Sequence, residues 1–118
     1  MVEISDETMD TRLAKVRGYC LLILKAGANY VPPDIRPPDQ AAIIREHGRR
    51  NMKLRAEGKM ALVAPIAGAR PMVGLAVFTV PEAEARALMA DDPAVPAGIL
   101  AAEWATWFGA PGDALPAI

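Results

Sequence analysis

The chain has 118 residues, of which 53% are hydrophobic and 23% charged, with a formal net charge of −1. This length suits one domain with a real core, and the high hydrophobic fraction excludes an intrinsically disordered chain. The near-neutral charge and an aromatic content of only 5% exclude the basic stripe and stacking platform of a nucleic-acid-binding protein.

Membrane and secretory signals are absent from the sequence. No apolar run approaches the roughly 20 residues needed to span a bilayer. The first ten residues, MVEISDETMD, are acidic and polar, unlike a signal peptide. A lone cysteine, Cys20, excludes an internal disulfide, and one histidine without a His/Cys cluster predicts no metal site. We therefore expect a cytoplasmic protein that needs no cofactor and has no membrane partner.

The chain begins with a polar N-terminal extension, residues 1–18, in which Ser5 is placed to cap a short helix. The apolar run from Tyr19 to Lys25 (YCLLILK) has the length of a buried central strand. Cys20 lies within it among apolar neighbours, which favours a small core residue over a nucleophile. The following AGANYVPPDIRPPDQ contains four prolines and predicts a long loop, of the kind that often borders a binding site.

The clearest helix is predicted for residues 39–57, ended by Gly58. On a helical wheel, its apolar side is shared by a set of residues that includes the only histidine: Ile43, Ile44, His47, Gly48, Asn51, Met52 and Leu54. The other side carries most of the charges and is typical of a solvated face.

Two strands, 60–66 and 73–80, are predicted to form a hairpin through the turn-like AGARP. Pro81 then begins a second helix, which stops at Asp92-Pro93 because a residue before proline disfavours helical geometry. A last strand is predicted for 101–108, and the Pro/Gly-rich residues 109–118 form a tail.

The predicted order of the domain, residues 19–108, is βαββαβ. Right-handed crossovers lead such a chain to a ferredoxin-like α+β fold: a four-stranded antiparallel sheet with two helices on one face. The other face would be bare and apolar, and a homodimer is the commonest way to cover such a surface.

Three features from Tyr19 to Phe108 resemble the YCII-related family. A histidine in the first long helix, His47, is followed by EGKMALVAP; Asp-Pro-x-Val-x-Ala-Gly follows the second helix at residues 92–98; and Trp107-Phe108 lies close to the end of the last strand. The resemblance implies a ferredoxin-like fold, a homodimer forming an α+β barrel, and a His/Asp pair. A few relatives resemble muconolactone-type isomerases and dehydrochlorinases that act on small ring-derived acids.

Two departures from the family pattern affect the expected pocket. The usual Ala-Gly-Pro is replaced by Val63-Ala64-Pro65, so the backbone near the pocket would differ. Ala94 replaces an aromatic residue after Asp-Pro, which would enlarge the pocket or loosen its wall.

His47 and Asp92 are the candidate catalytic residues. Histidine suits proton transfer because its unperturbed pKa lies near neutrality; the alternative is a structural histidine, hydrogen-bonded in a partly buried position. Asp91 and Asp92 end a helix, where the macrodipole disfavours negative charge. Asp92 either orients the ring of His47 or forms an Asx-turn onto the amides around Val95, and the two roles can coexist.

Three further residues are candidates for substrate binding. Asn51, one turn beyond His47, would donate to a substrate oxygen or else satisfy a backbone carbonyl. Arg55 would pair with a substrate carboxylate or form a surface salt bridge. The phenol of Tyr19 is a third candidate. The phenol of Tyr30 could also reach a pocket, and the sequence does not indicate where either phenol points.

Two functions remain open from the sequence. The first is a cofactor-independent lyase or isomerase that uses the His47–Asp92 pair on a small acidic or cyclic metabolite. The alternative is a non-catalytic module that binds a small molecule or interacts with a partner.

Overall fold

The computed structural model describes all residues, 1–118, as an α+β protein. It has three helices and four strands: α1 (Asp6–Lys15), β1 (Arg17–Ala26), α2 (Pro38–Ala56), β2 (Met60–Pro65), β3 (Met72–Phe78), α3 (Glu82–Ala90) and β4 (Leu100–Gly109). Every predicted element is present, and the ends differ by only a few residues.

Local signals explain where the helices begin and end. The Ser5 side chain accepts a hydrogen bond from the Thr8 amide at 3.1 Å, as the predicted cap of α1. Two prolines precede and open α2, and Gly58 follows it with a φ of 75°, a left-handed conformation that glycine adopts without strain. Helix α3 gives way to Asp92-Pro93, as expected.

The four strands form one sheet in the order β2-β3-β1-β4, and every neighbouring pair is antiparallel. Strand β1 is therefore central, with Leu22 opposite Ala76 of β3 on one side and Trp104 of β4 on the other. This arrangement is consistent with the predicted ferredoxin-like fold. Helix α1 precedes it as an addition.

Helices α2 and α3 cover the same face of the sheet. Leu22 and Leu24 of β1 and Phe78 of β3 belong to one buried cluster with residues from the helices. Leu54 comes from α2, and Ala85 and Met89 come from α3. The predicted placement of two helices on one face is confirmed.

The opposite face of the sheet, here called the open face, has no helix over it. Because side chains alternate along a strand, Leu21 and Ile23 of β1 point away from Leu22 and Leu24. Ile23 pairs with Leu75 of β3. Leu21, Ile23 and Leu75 are all outside the core cluster.

The proline-rich loop between β1 and α2 is held by side-chain hydrogen bonds, two of them made by the buried Gln40. Gln40 donates to the carbonyl of Asn29 at 2.8 Å and accepts from the amide of Val31 at 3.0 Å. The Asn29 side chain in turn donates to the Ala97 carbonyl at 3.0 Å. These bonds fix the loop to the start of α2 and to the turn before β4.

Helix α1 contributes nothing to the core. None of its residues is buried, and a salt bridge of 2.7 Å between Arg12 and Asp113 connects it to the C-terminal tail. None of the three helices has the length and apolar character required to cross a bilayer.

Candidate active site

The ring of His47 and the carboxylate of Asp92 meet between α2 and the end of α3. His47 lies in the middle of α2, on the side that faces the sheet, whereas Asp92 directly follows the last turn of α3. Pro93 ends that helix and turns the chain, which delivers the Asp92 side chain inward. The two residues of the pair thus come from parts of the chain that are distant in sequence, α2 for His47 and the end of α3 for Asp92.

The pair is close and shielded from water. His47 Nδ1 lies 2.7 Å from Asp92 Oδ2. The Asp92 side chain is fully buried, and that of His47 is only 12% exposed. The other carboxylate oxygen, Oδ1, accepts a hydrogen bond from the Ala94 amide at 2.9 Å. Asp92 therefore has both expected contacts, with the imidazole and with the backbone of the turn.

The environment of Asp92 keeps it ionised. Burial alone would raise the pKa of this carboxyl group. The hydrogen bond and charge of His47, the Ala94 amide and the positive charge of Arg50 together outweigh burial, so the pKa of Asp92 lies below its usual value. A carboxylate at this position accepts a hydrogen bond from Nδ1–H of His47, which leaves Nε2 as the nitrogen of a neutral ring that can accept a proton.

Asn51 contacts that second nitrogen. Its Nδ2 lies 3.2 Å from His47 Nε2, and the side chain is buried. With Nδ1 protonated, the amide of Asn51 donates to Nε2. Its partner is thus the imidazole, and not the backbone carbonyl that was one of its two predicted partners.

A cavity of about 680 Å³ opens beside His47 and Asn51, between α2, the sheet and the proline-rich loop. Its wall is mainly apolar, formed by residues of every one of these parts: Leu24, Pro33, Ile44, Met52, Val63, Pro65, Ile66, Val73 and Leu100. Arg36 and Arg55 also line it, and no aspartate or glutamate does. A small ligand with an apolar body and a negative charge matches this lining.

The proline-rich loop borders the cavity, as its length suggested. Tyr30 and Arg36 both come from this loop. The guanidinium of Arg36 lies 5.4 Å from the centre of the Tyr30 ring, and that of Arg70 lies 5.2 Å from it. These distances are typical of cation–π contacts, which hold the ring in place.

The structure brings four of the five predicted site residues together. Asn51 and Arg55 line the cavity with His47, and Asp92 lies behind the ring. Arg55 forms no ion pair, so the alternative of a surface salt bridge is not present. Tyr19 does not line the cavity, because it pairs with Trp107 and lies on the open face.

The sequence leaves the phenol of Tyr30 unplaced and does not indicate Arg36, yet both residues line the cavity. Their only signal was the loop itself, whose prolines marked it as a candidate border without indicating which side chains point inward. No three side chains of the metal-ligating types converge anywhere in the chain.

No protein-family model matches the chain, and no curated protein matches it. The geometry and chemistry of the cavity are therefore the basis for assigning a function.

Proposed function

We propose that this protein is a YCII-like lyase or isomerase, which uses His47 to move a proton on a small carboxylate-bearing metabolite without a cofactor. The observation that carries the proposal is the buried 2.7 Å contact between His47 and Asp92, beside a cavity lined by arginines and apolar groups. An oriented His–carboxylate pair at the edge of a cavity is a recurrent arrangement for general acid–base catalysis.

Each polar residue has a distinct part in the proposed reaction. Arg55 and Arg36 bind the substrate carboxylate, and the apolar wall holds the carbon skeleton. His47 Nε2 removes a proton from carbon, and Asp92 stabilises the imidazolium that forms. In an isomerisation the proton returns to another carbon. In an elimination the electron pair of the broken C–H bond forms a double bond as the leaving group departs with its own pair.

One contact requires a rearrangement in this mechanism. The Asn51 amide donates to Nε2, the atom that must accept the proton. Substrate binding would have to draw this amide away, and a substrate oxygen is a suitable new partner for it. Asn51 would then stabilise negative charge that develops on that oxygen.

The same contact favours a second candidate function, a non-catalytic module that binds a small acid. If Asn51 stays on Nε2, the imidazole has partners on both nitrogens and serves only to shape the cavity. The arginines would bind the ligand in either case.

The first experiment identifies a ligand and then measures whether the protein converts it to a product. Small carboxylic acids are screened for an increase in Tm, because a ligand that binds the native state stabilises it. Compounds that bind are then incubated with the protein and analysed for products. Binding without any product would support the binding module and contradict the enzyme.

For a compound that is converted, His47→Gln tests the proposed base. We expect turnover to fall by about 10²- to 10⁴-fold with little change in affinity, because the variant cannot transfer the proton. Arg45→Gln is a suitable control, since this residue lies on the exposed side of α2. Full turnover in His47→Gln would exclude the proposed mechanism.

A further inference from the structure

A second cleft lies on the other side of α2, behind the His47–Asp92 pair. Its volume is about 500 Å³, and it is bounded by the second half of α2, the turn before β2 and the end of α3. Its charged residues are mostly basic: Arg49, Arg50, Lys53 and Lys59, with Glu46 and Glu57. Leu54 and Leu88 are its only hydrophobic lining residues.

The positive charge of this cleft is only partly neutralised within the protein. Arg49 is paired with Glu46 at 2.7 Å. Lys53 and Lys59 form no ion pair, and neither does Glu57. Two unpaired cations, Lys53 and Lys59, therefore share the cleft with one unpaired acid, Glu57, and with Arg50, whose nearest carboxylate is Asp92 at 4.0 Å.

Arg50 has hydrogen-bonding capacity that the protein does not use. Its side chain is 22% exposed, and its Nη1 is buried without a hydrogen-bond partner. The nearest carboxylate oxygen, Asp92 Oδ2, is 4.0 Å away, which is beyond hydrogen-bonding distance. Nη1 itself is shielded from the cleft, so an anion there would be bound by the exposed part of the guanidinium, which lines the cleft and suits anion recognition.

We propose that this cleft binds a phosphate dianion, either free or as the monoester of a small molecule. Arg50 offers a planar set of donors, and Lys53 and Lys59 add point charges from two different elements. A carboxylate carries a single charge, whereas the two charges of a phosphate dianion can be shared between the unpaired Lys53 and Lys59 and the guanidinium of Arg50. Leu54 and Leu88 offer an apolar surface for the carbon part of an ester. This binding site is separate from the proposed catalytic cavity and does not depend on its chemistry.

The test is a titration of the ¹⁵N-labelled full chain with inorganic phosphate at constant ionic strength, followed by amide chemical shifts. We expect saturable shifts at Lys53 and Lys59, with a Kd of about 1 mM or lower. A parallel titration with glycerol 3-phosphate distinguishes a site for free phosphate from a site for a phosphate monoester. Tighter binding of the ester identifies a monoester site, and equal binding identifies a site for phosphate itself.

Charge-matched variants decide whether the site is specific. We expect Lys53→Gln and Lys59→Gln each to weaken phosphate binding by about tenfold, whereas Arg45→Gln, outside the cleft, leaves it within about twofold. Both lysine side chains are at the surface, and an unchanged Tm verifies folding. Shifts that do not saturate, or equal weakening in Arg45→Gln, would mean an adventitious ion only and would overturn the proposal.

Discussion

Asp92 shows how one carboxylate combines a structural and a chemical role. One oxygen accepts the Ala94 amide and the other contacts His47, so both are satisfied although the side chain is fully buried. A buried ion is unfavourable unless it is paired and hydrogen-bonded. The position therefore tolerates little change, even apart from any catalytic role.

We expect Asp92→Asn to lower the free energy of unfolding by about 3 kcal/mol at neutral pH, because it leaves His47 and Arg50 without an anion. Folding lowers the pKa of Asp92. Its contribution is thus complete above the pKa of an unfolded aspartate, about 3.9, and is lost as the pH falls through the lower folded value.

Urea unfolding of both proteins between about pH 7 and pH 2 measures this dependence, and the stability difference should shrink below about pH 4. Asp91→Asn is the matched control, because Asp91 is exposed one residue earlier. If the stability difference between the wild-type protein and Asp92→Asn stayed constant down to the lowest pH, the stabilising role assigned to the Asp92 charge would be contradicted.

Gly27 and Gly48 differ in the space that is available for a side chain. A Cβ at Gly27 would collide with the backbone carbonyl of Gly98, whereas a Cβ at Gly48 would meet nothing within 4 Å. We expect Gly27→Ala to destabilise the protein by more than about 2 kcal/mol. Gly48→Ala should stabilise it by about 0.5 to 1 kcal/mol, because Gly48 lies inside α2. Chemical denaturation of both variants measures the contrast, and equal effects would contradict it.

At the scale of elements, α2 positions most of the site. Its inward side carries His47, Asn51 and Arg55 at four-residue intervals, which places them along one side of the helix. The cleft proposed to bind phosphate lies along another side of the same helix. The periodicity of α2 predicted the first arrangement, because all three residues share one element.

Helix α1 is expected to be dispensable for folding. None of its residues is buried, and its tether to the tail is an exposed ion pair, which contributes little. Deletion of residues 2–15 should therefore shift Tm by no more than about 3 °C, as measured by thermal unfolding. A much larger decrease would show that α1 stabilises the domain, for example by packing on a partner.

Considered as a whole, the protein has no helix that covers the apolar open face of its sheet. It presents Leu21, Ile23 and Leu75 without a covering helix, next to the ion pair between Lys25 and Glu103. We propose that a second copy of the chain covers it, which would form the dimeric α+β barrel suggested by the family resemblance.

This proposal predicts a dimer by light scattering, which Leu75→Glu should convert to a monomer. Leu75 is central in the open face, so a charge there would be buried unpaired in the dimer. Ile35→Glu is the control, because Ile35 is 69% exposed in the loop away from the sheet. A wild-type protein that is monomeric at about 50 μM would contradict the proposal, because a dimer with a Kd of about 1 μM would be mostly assembled at that concentration.

The sequence alone was enough to predict the elements, their order and the inward side of α2. These depend on local physics: apolar runs, the capping Ser5, the left-handed Gly58 and the proline after Asp92 all act within a few residues. For the same reason His47 could be recognised as inward-facing. Asp92 was recognisable because two adjacent acids end a helix against its dipole.

Which residues surround the cavity depends on how the elements pack together, and the sequence does not show this. Tyr19 lies on the open face because side chains alternate along β1, and the sequence of a continuous apolar strand does not indicate which set faces the helices. Tyr30 and Arg36 reach the cavity through the path of an irregular loop, and Arg50 lies near Asp92 only because α2 packs beside the end of α3. Such contacts join residues far apart in sequence, so no local pattern encodes them.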